Sequence, residues 1–146
     1  MRISLLTCLA GLGLTLLYPA AARPADGIGK ELLLSDTKSW NGATLPVYPQ
    51  GPAEITIVKV TLPPGAALPM HKHPVITGGY VLSGQLTVHT EAGQAIHLKA
   101  GDPLLEVVNT WHYGANDGDD ATTLVVFYVG TPGQPVTVLK PAAESP

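Results

Sequence analysis

The chain has 146 residues, 45% of them hydrophobic and only 13% charged, against a globular norm of about 25% charged. Its 16 glycines and 14 prolines break helices too often for a coiled coil or helical repeat, while the apolar content supports a packed core rather than disorder. Lys and Arg number 8 against 11 Asp and Glu, a formal net charge of −3, and no run of basic residues provides a footprint for nucleic acid.

The first 22 residues read as a secretory signal peptide. Arg2 supplies a positive start, Ile3 to Tyr18 run without a charge, Pro19 breaks the run, and Ala20-Ala21-Ala22 place small residues before a cleavage point. A membrane anchor is the competing reading, but a spanning helix needs about 20 apolar residues, more than Ile3 to Tyr18 supply. Cleavage after Ala25 is an alternative. Cys8, the only cysteine, lies in this leader and is not placed for lipidation, because the apolar run continues well past it. Cleavage leaves an exported chain, periplasmic or secreted, with no disulfide, no thiolate ligand and no stable membrane anchor.

Residues 23–52 form an extended, proline-punctuated segment carrying Leu32-Leu33-Leu34 and Ser39-Trp40-Asn41-Gly42. A folded domain is expected over 53–139, with a frayed tail over 140–146. Ile55 to Leu62 is β-branched and bounded by prolines, which predicts a strand, and Pro63-Pro64-Gly65 a turn. Gly79–Leu82 and Gln85–Thr90 flank Ser83-Gly84, which reads as a hairpin. Ala92-Gly93 turns into a strand from Ala95 to Leu98. Ala100-Gly101-Asp102 turns again, ahead of a strand from Leu104 to Val108. Asn116 to Asp120 is an acidic loop. Thr122 to Val129 is the most apolar strand, expected to be buried on both faces, and Val136 to Leu139 is the last. Strands at this spacing, with no competing helical periodicity, predict an all-β antiparallel sandwich or barrel.

Three of the five histidines stand out. His71 and His73 are two apart, so on a strand both imidazoles point to one face and Lys72 to the other. His112 follows about 40 residues later beside Trp111. A pair plus one distant histidine can form a three-nitrogen tripod with open coordination positions, although two exposed histidines on a loop look the same by spacing alone. Alternation places His89 and His97 on solvated faces, and Tyr80, Trp111 and Tyr113 suit packing or an interface better than a pocket.

Gly65, His71, His73 and Gly84 resemble the first motif of the cupin superfamily, and Gly101, His112 and Asn116 its second. His73-Pro74 and Tyr80-Val81-Leu82-Ser83-Gly84 strengthen the likeness, which covers about Ile55 to Val129. The resemblance implies a single cupin β-barrel of jelly-roll type. It implies a divalent metal (Fe, Mn, Ni, Cu or Zn) on His71, His73 and His112, a small-molecule ligand or substrate, and a homodimer. The glutamate usual after the second histidine is absent, Thr77 occupying its place, and the second motif's usual Pro and Gly are Val107 and Asn109. A three-histidine site remains viable, as in cupin dioxygenases that bind Fe(II) without the glutamate. Such a site keeps the metal's full charge and favours small anionic substrates. Glu106 shares strand parity with Leu104 and Val108. If that face lines the barrel, its carboxylate replaces the missing ligand or serves as a general base; otherwise it faces solvent. A metal-dependent oxygenase-type enzyme and a non-catalytic binding module both fit this pattern.

Overall fold

A computed structural model describes residues 27–142, and nine strands form among these described residues. In chain order they are β1 (Glu54–Leu62), β2 (His71–Lys72), β3 (Ile76–Ser83), β4 (Gln85–Thr90), β5 (Ala95–Lys99), β6 (Pro103–Leu105), β7 (His112–Ala115), β8 (Thr122–Gly130) and β9 (Val138–Leu139). No helix forms among the described residues. Residues 27–31 are exposed and carry no strand. The expected signal peptide at 1–22 lies outside the described residues.

The strands form two antiparallel sheets, ordered β1-β8-β3-β6 and β5-β4-β7-β2-β9. This is the jelly-roll architecture of a cupin barrel. β1 and β8 pair along their whole length, from Glu54 opposite Gly130 to Leu62 opposite Thr122. Apolar side chains from both sheets meet between them: Leu62, Val81, Leu104, Leu124, Val126 and Tyr128 from one, Leu86, Val88 and Leu98 from the other.

Three local expectations are corrected. Ser83-Gly84 is not a hairpin. β3 pairs with β6 and β8, whereas β4 pairs with β5 and β7, so the chain crosses between sheets here. The corner needs glycine, because Gly84 has φ +77 and an added Cβ would lie 2.5 Å from Thr122 Oγ1 and 2.7 Å from Thr122 Cα. Thr122 closes the same corner by donating its hydroxyl to Gln85 O at 2.5 Å and accepting from Gln85 N at 3.0 Å. The strand expected from Leu104 to Val108 stops at Leu105. After it Asn109 turns with φ +54. Asparagine is among the non-glycine residues that best tolerate this left-handed region, which explains how it stands where the family usually has glycine. β8 alternates rather than being buried on both faces: Leu124, Val126 and Tyr128 point inward, and Phe127 is exposed.

Asn116 ties the barrel end together. Its side-chain nitrogen donates to Leu62 O, Pro63 O and Asp120 O at 3.0, 3.1 and 2.8 Å, and its oxygen accepts from Gly118 N at 3.0 Å. The motif asparagine therefore holds β1, the turn after it and the acidic loop.

Candidate metal centre

The register of the five-stranded sheet brings distant histidines together. His71 on β2 lies opposite His112 on β7, and His73 follows β2 in a bridge to Val108. All three side chains point into the barrel and are buried. Their ring centroids are 4.5 to 5.0 Å apart, and one ring nitrogen from each lies within 4.8 Å of the others. Lys72 points the other way, its Nζ 4.8 Å from the Trp111 ring centroid.

The backbone sets the tautomer of each ring. His71 Nδ1 bonds to Pro69 O at 2.7 Å, His73 Nδ1 to Val136 O at 2.9 Å and His112 Nδ1 to Thr110 O at 2.8 Å. A carbonyl only accepts, so each Nδ1 carries the hydrogen and each Nε2 keeps its lone pair. Metal-binding histidines are ordinarily oriented this way. Burial keeps the rings neutral. It lowers the pKa of all three, most clearly His73, to about 4, against the raising effect of the carbonyl bonds. His112 Nε2 is buried with no hydrogen-bond partner. Three neutral nitrogen donors, one of them an orphan, suit a divalent transition metal. The three histidines are positioned to bind a metal ion.

Glu106 faces the same cavity, which resolves its two possible orientations inward. Its Oε2 lies 3.8 Å from His112 Nε2, beyond a direct hydrogen bond, and is itself unpartnered. Burial raises its pKa to about 7, against the pull of His71, the Trp40 indole and the Val107 backbone. The closely spaced donor group comprises the three histidines without Glu106. Its position also accounts for the departure at Thr77. Thr77 is fully buried and donates its hydroxyl to Val75 O, while Glu106 N donates to Thr77 O at 2.9 Å. A buried carboxylate therefore faces the cavity from residue 106, just past β6, while Thr77 is engaged by the backbone.

Trp40 and Ser39 were not singled out by motif. Ser39 Oγ donates to Glu106 O at 2.8 Å, and Trp40 N donates to Leu105 O at 2.9 Å. The Trp40 indole lowers the pKa of Glu106 without reaching a full hydrogen bond. The N-terminal segment therefore braces Glu106; the signal available beforehand was a serine and a tryptophan entering an Asn-Gly turn. Tyr128 stacks edge-on to His73, with centroids 5.2 Å apart. His97 lies outside the cavity and is exposed, and His89 stacks on Tyr113 at 4.9 Å, so neither joins the three. Tyr80 does not line this cavity; it lines a groove on the other sheet's outer side. The space beside the histidines is about 50 Å³, walled mainly by Val60, Leu68, Leu86, Val88, Leu124 and Val126.

Residues 58–128 match the family model described as Cupin domain. That match covers 71 of the 146 residues and agrees with the two-sheet barrel and its inward histidines, so the chain is similar to cupin domains in this part. Solved structures agree on the fold. An uncharacterized conserved protein with a double-stranded beta-helix domain from Klebsiella pneumoniae subsp. pneumoniae MGH 78578 matches with a TM-score of 0.52 and 24% identity, over 68% of this chain and 83% of that one. The polyketide cyclase RemF from Streptomyces resistomycificus matches with a TM-score of 0.52 and 15% identity, over 62% of this chain and 63% of that one. The DMSP lyase DddQ from Ruegeria pomeroyi DSS-3 matches with a TM-score of 0.50 and 21% identity, over 58% of this chain and 42% of that one. At these identities the likeness concerns the fold. No curated protein matches the chain.

Proposed function

We propose that this is an exported cupin that holds one divalent metal on His71, His73 and His112 and presents it to a small anionic ligand or substrate. The observation that carries this reading is the set of three backbone-oriented imidazoles, neutral and buried, with their Nε2 lone pairs turned into one cavity. A divalent ion held there would supply Lewis acidity and open coordination positions. The histidines contribute no charge, which favours an anionic partner. A space of about 50 Å³ leaves room beside the rings for waters or a small ligand only.

The chain's own acid–base group is Glu106. Its side chain lies beside the donor cluster and its pKa is raised to about 7, which suits proton transfer near neutrality. Ser39 and Trp40 brace it from the N-terminal segment. On this reading the protein is an oxygenase-type or related metal-dependent enzyme. A non-catalytic binding module is the second reading, favoured by how little space the aliphatic walls leave.

Metal analysis tests the proposal. Purified protein exposed to Fe, Mn, Ni, Cu and Zn should retain about one ion per chain, and the His71→Ala/His112→Ala double variant should retain none. A content well below one ion, or unchanged binding by the double variant, overturns it. Oxygen uptake with small diketones, thiols and phenolic acids then separates the readings. Turnover that requires Glu106 supports the enzyme, and a silent panel with full metal loading favours the binding module.

A further inference from the structure

The three rings are not held in the same way. His71 Nδ1 bonds to the carbonyl of Pro69 and His112 Nδ1 to that of Thr110, each two residues back in the chain. The partner of His73 Nδ1 is Val136 O, 63 residues away, and the Thr137 hydroxyl lies 3.2 Å from the same nitrogen. The Nδ1 hydrogen is therefore shared between the Val136 carbonyl and Thr137 Oγ1, which leaves the threonine its own hydrogen to donate. The Tyr128 phenol is within its reach: Tyr128 stacks edge-on to His73, and burial raises its pKa against the opposing pull of Thr137. Thr137 is itself exposed, so core packing does not account for this placement. Little holds the segment that carries it. β9 is an edge of the five-stranded sheet and pairs with β2 at two positions, His71 opposite Leu139 and Lys72 opposite Val138. Before it Val136 packs on the core, and after it Lys140 N donates to Met70 O at 2.8 Å. Short edge pairings of this kind sit at the low end of local opening free energies.

We propose that the segment from Val136 to Lys140 is a positioning element of the metal centre, in which Val136 and Thr137 set the tautomer and angle of His73 and docking of the segment is coupled to ion binding. The inference rests on the reading of the three histidines as metal ligands. With the segment docked, His73 Nε2 keeps its lone pair beside those of the other two rings. With it undocked, His73 loses the acceptors that fix its hydrogen on Nδ1, and a hydrogen on Nε2 leaves no lone pair for an ion. An ion thus binds the docked form more tightly, and by linkage its binding stabilises docking. His71 and His112, whose acceptors are local, keep their tautomer either way.

Long-range proton–nitrogen NMR spectra of the metal-free full chain and calorimetric titration with zinc test it. In wild type all three rings should carry hydrogen on Nδ1. Lys140→Pro removes the N–H that Met70 O accepts and lies outside every strand. It should populate the Nε2–H form of His73 with His71 and His112 unchanged, and should lower zinc affinity at least about tenfold. Lys140→Ala keeps that N–H and should match wild type in both readings. Thr137→Val should weaken zinc binding about tenfold, and Thr137→Ser should restore it. Zinc should in turn slow hydrogen exchange at the Lys140 amide. His73 signals unmoved by Lys140→Pro, a common shift of all three rings, or unchanged zinc affinity in both Lys140→Pro and Thr137→Val overturns the proposal. Wild type that retains none of Fe, Mn, Ni, Cu and Zn overturns the metal reading itself, while the His73 tautomer in the metal-free chain still decides the positioning role.

Discussion

The two sheets of the barrel share a core but differ on their other sides. The five-stranded sheet is amphipathic: inward it carries His71, His112, Leu86, Val88 and Leu98, and outward Lys72, Gln85, His89, His97 and Lys99. The four-stranded sheet is apolar on both sides, with Val126 and Val81 inward and Ile55, Ile57 and Phe127 outward. A sheet with one wet face alternates, whereas one covered on both faces reads as a continuous apolar run. The contrast therefore divides the labour. The first sheet holds the three-histidine group on its inner face and meets water on the other, whereas the second exposes apolar side chains outward.

The largest effect should come from breaking the chemical side. Replacing His71 and His112 by alanine removes two of three donors, and metal affinity should fall more than about a hundredfold by calorimetric titration. The fold should survive, because the rings contribute little apolar packing compared with Val88 or Leu86. If the variant kept its affinity, the inward face of the five-stranded sheet would not be the site.

The seam between the sheets comes next. Gly84→Ala places a Cβ against Thr122 Oγ1, Thr122 Cα and Ala121 O, at 2.5, 2.7 and 2.9 Å, at a residue with φ +77. Backbone has to move, so urea melts should show a loss of more than about 3 kcal/mol. Asn116→Ala strands the carbonyls of Leu62, Pro63 and Asp120 and should cost about 2–3 kcal/mol. Losses below about 0.5 kcal/mol in either variant would mean that the corner and the barrel end are not the fixed points the geometry makes them.

These positions also show what was legible in the sequence. The histidines, Gly84, Gly101 and Asn116 belong to a spaced pattern, so the fold and the grouping of the rings followed from short-range residue types. The crossing at Ser83-Gly84 did not, because a turn dipeptide between two apolar runs looks alike whether the runs pair or separate into different sheets. The side on which Glu106 lies was equally hidden. β6 ends at Leu105, so strand parity no longer governs residue 106. Its inward placement depends on the Thr77 carbonyl and on Ser39, 67 residues away. The two-sided apolar character of β8 was visible as composition, but the exposure of Phe127 required knowing which strands flank it.

Glu106 sharpens the comparison, because it follows the four-stranded sheet yet faces the histidines of the other. Its pKa is raised from 4.5 to about 7 by burial, so the native state favours its protonated form. That contribution is fully present below about pH 4.5 and is lost as pH rises through 7. Metal-free wild type should therefore lose stability relative to Glu106→Gln over this window, by up to about 3 kcal/mol, in chemical melts at each pH. His73 runs oppositely: lowered to about 4, it supports the fold above pH 6.5 and that support is lost as pH falls through 4. A flat difference between wild type and Glu106→Gln from pH 4 to 8 would mean that the carboxylate is solvated in solution.

The smallest effect tests the two faces of a single strand. Lys72 lies between His71 and His73 but points outward over Trp111. Lys72→Ala removes a half-exposed cation–π contact worth about 0.5–1 kcal/mol, and that should be its whole cost in a chemical melt. Metal affinity should stay within about threefold of wild type, since the imidazoles are oriented by the carbonyls of Pro69, Val136 and Thr110, none of which Lys72 contacts through its side chain. A larger fall in affinity would couple the wet face to the site, and the division of the five-stranded sheet into a solvated exterior and a chemical interior would fail at the strand where it is drawn most closely.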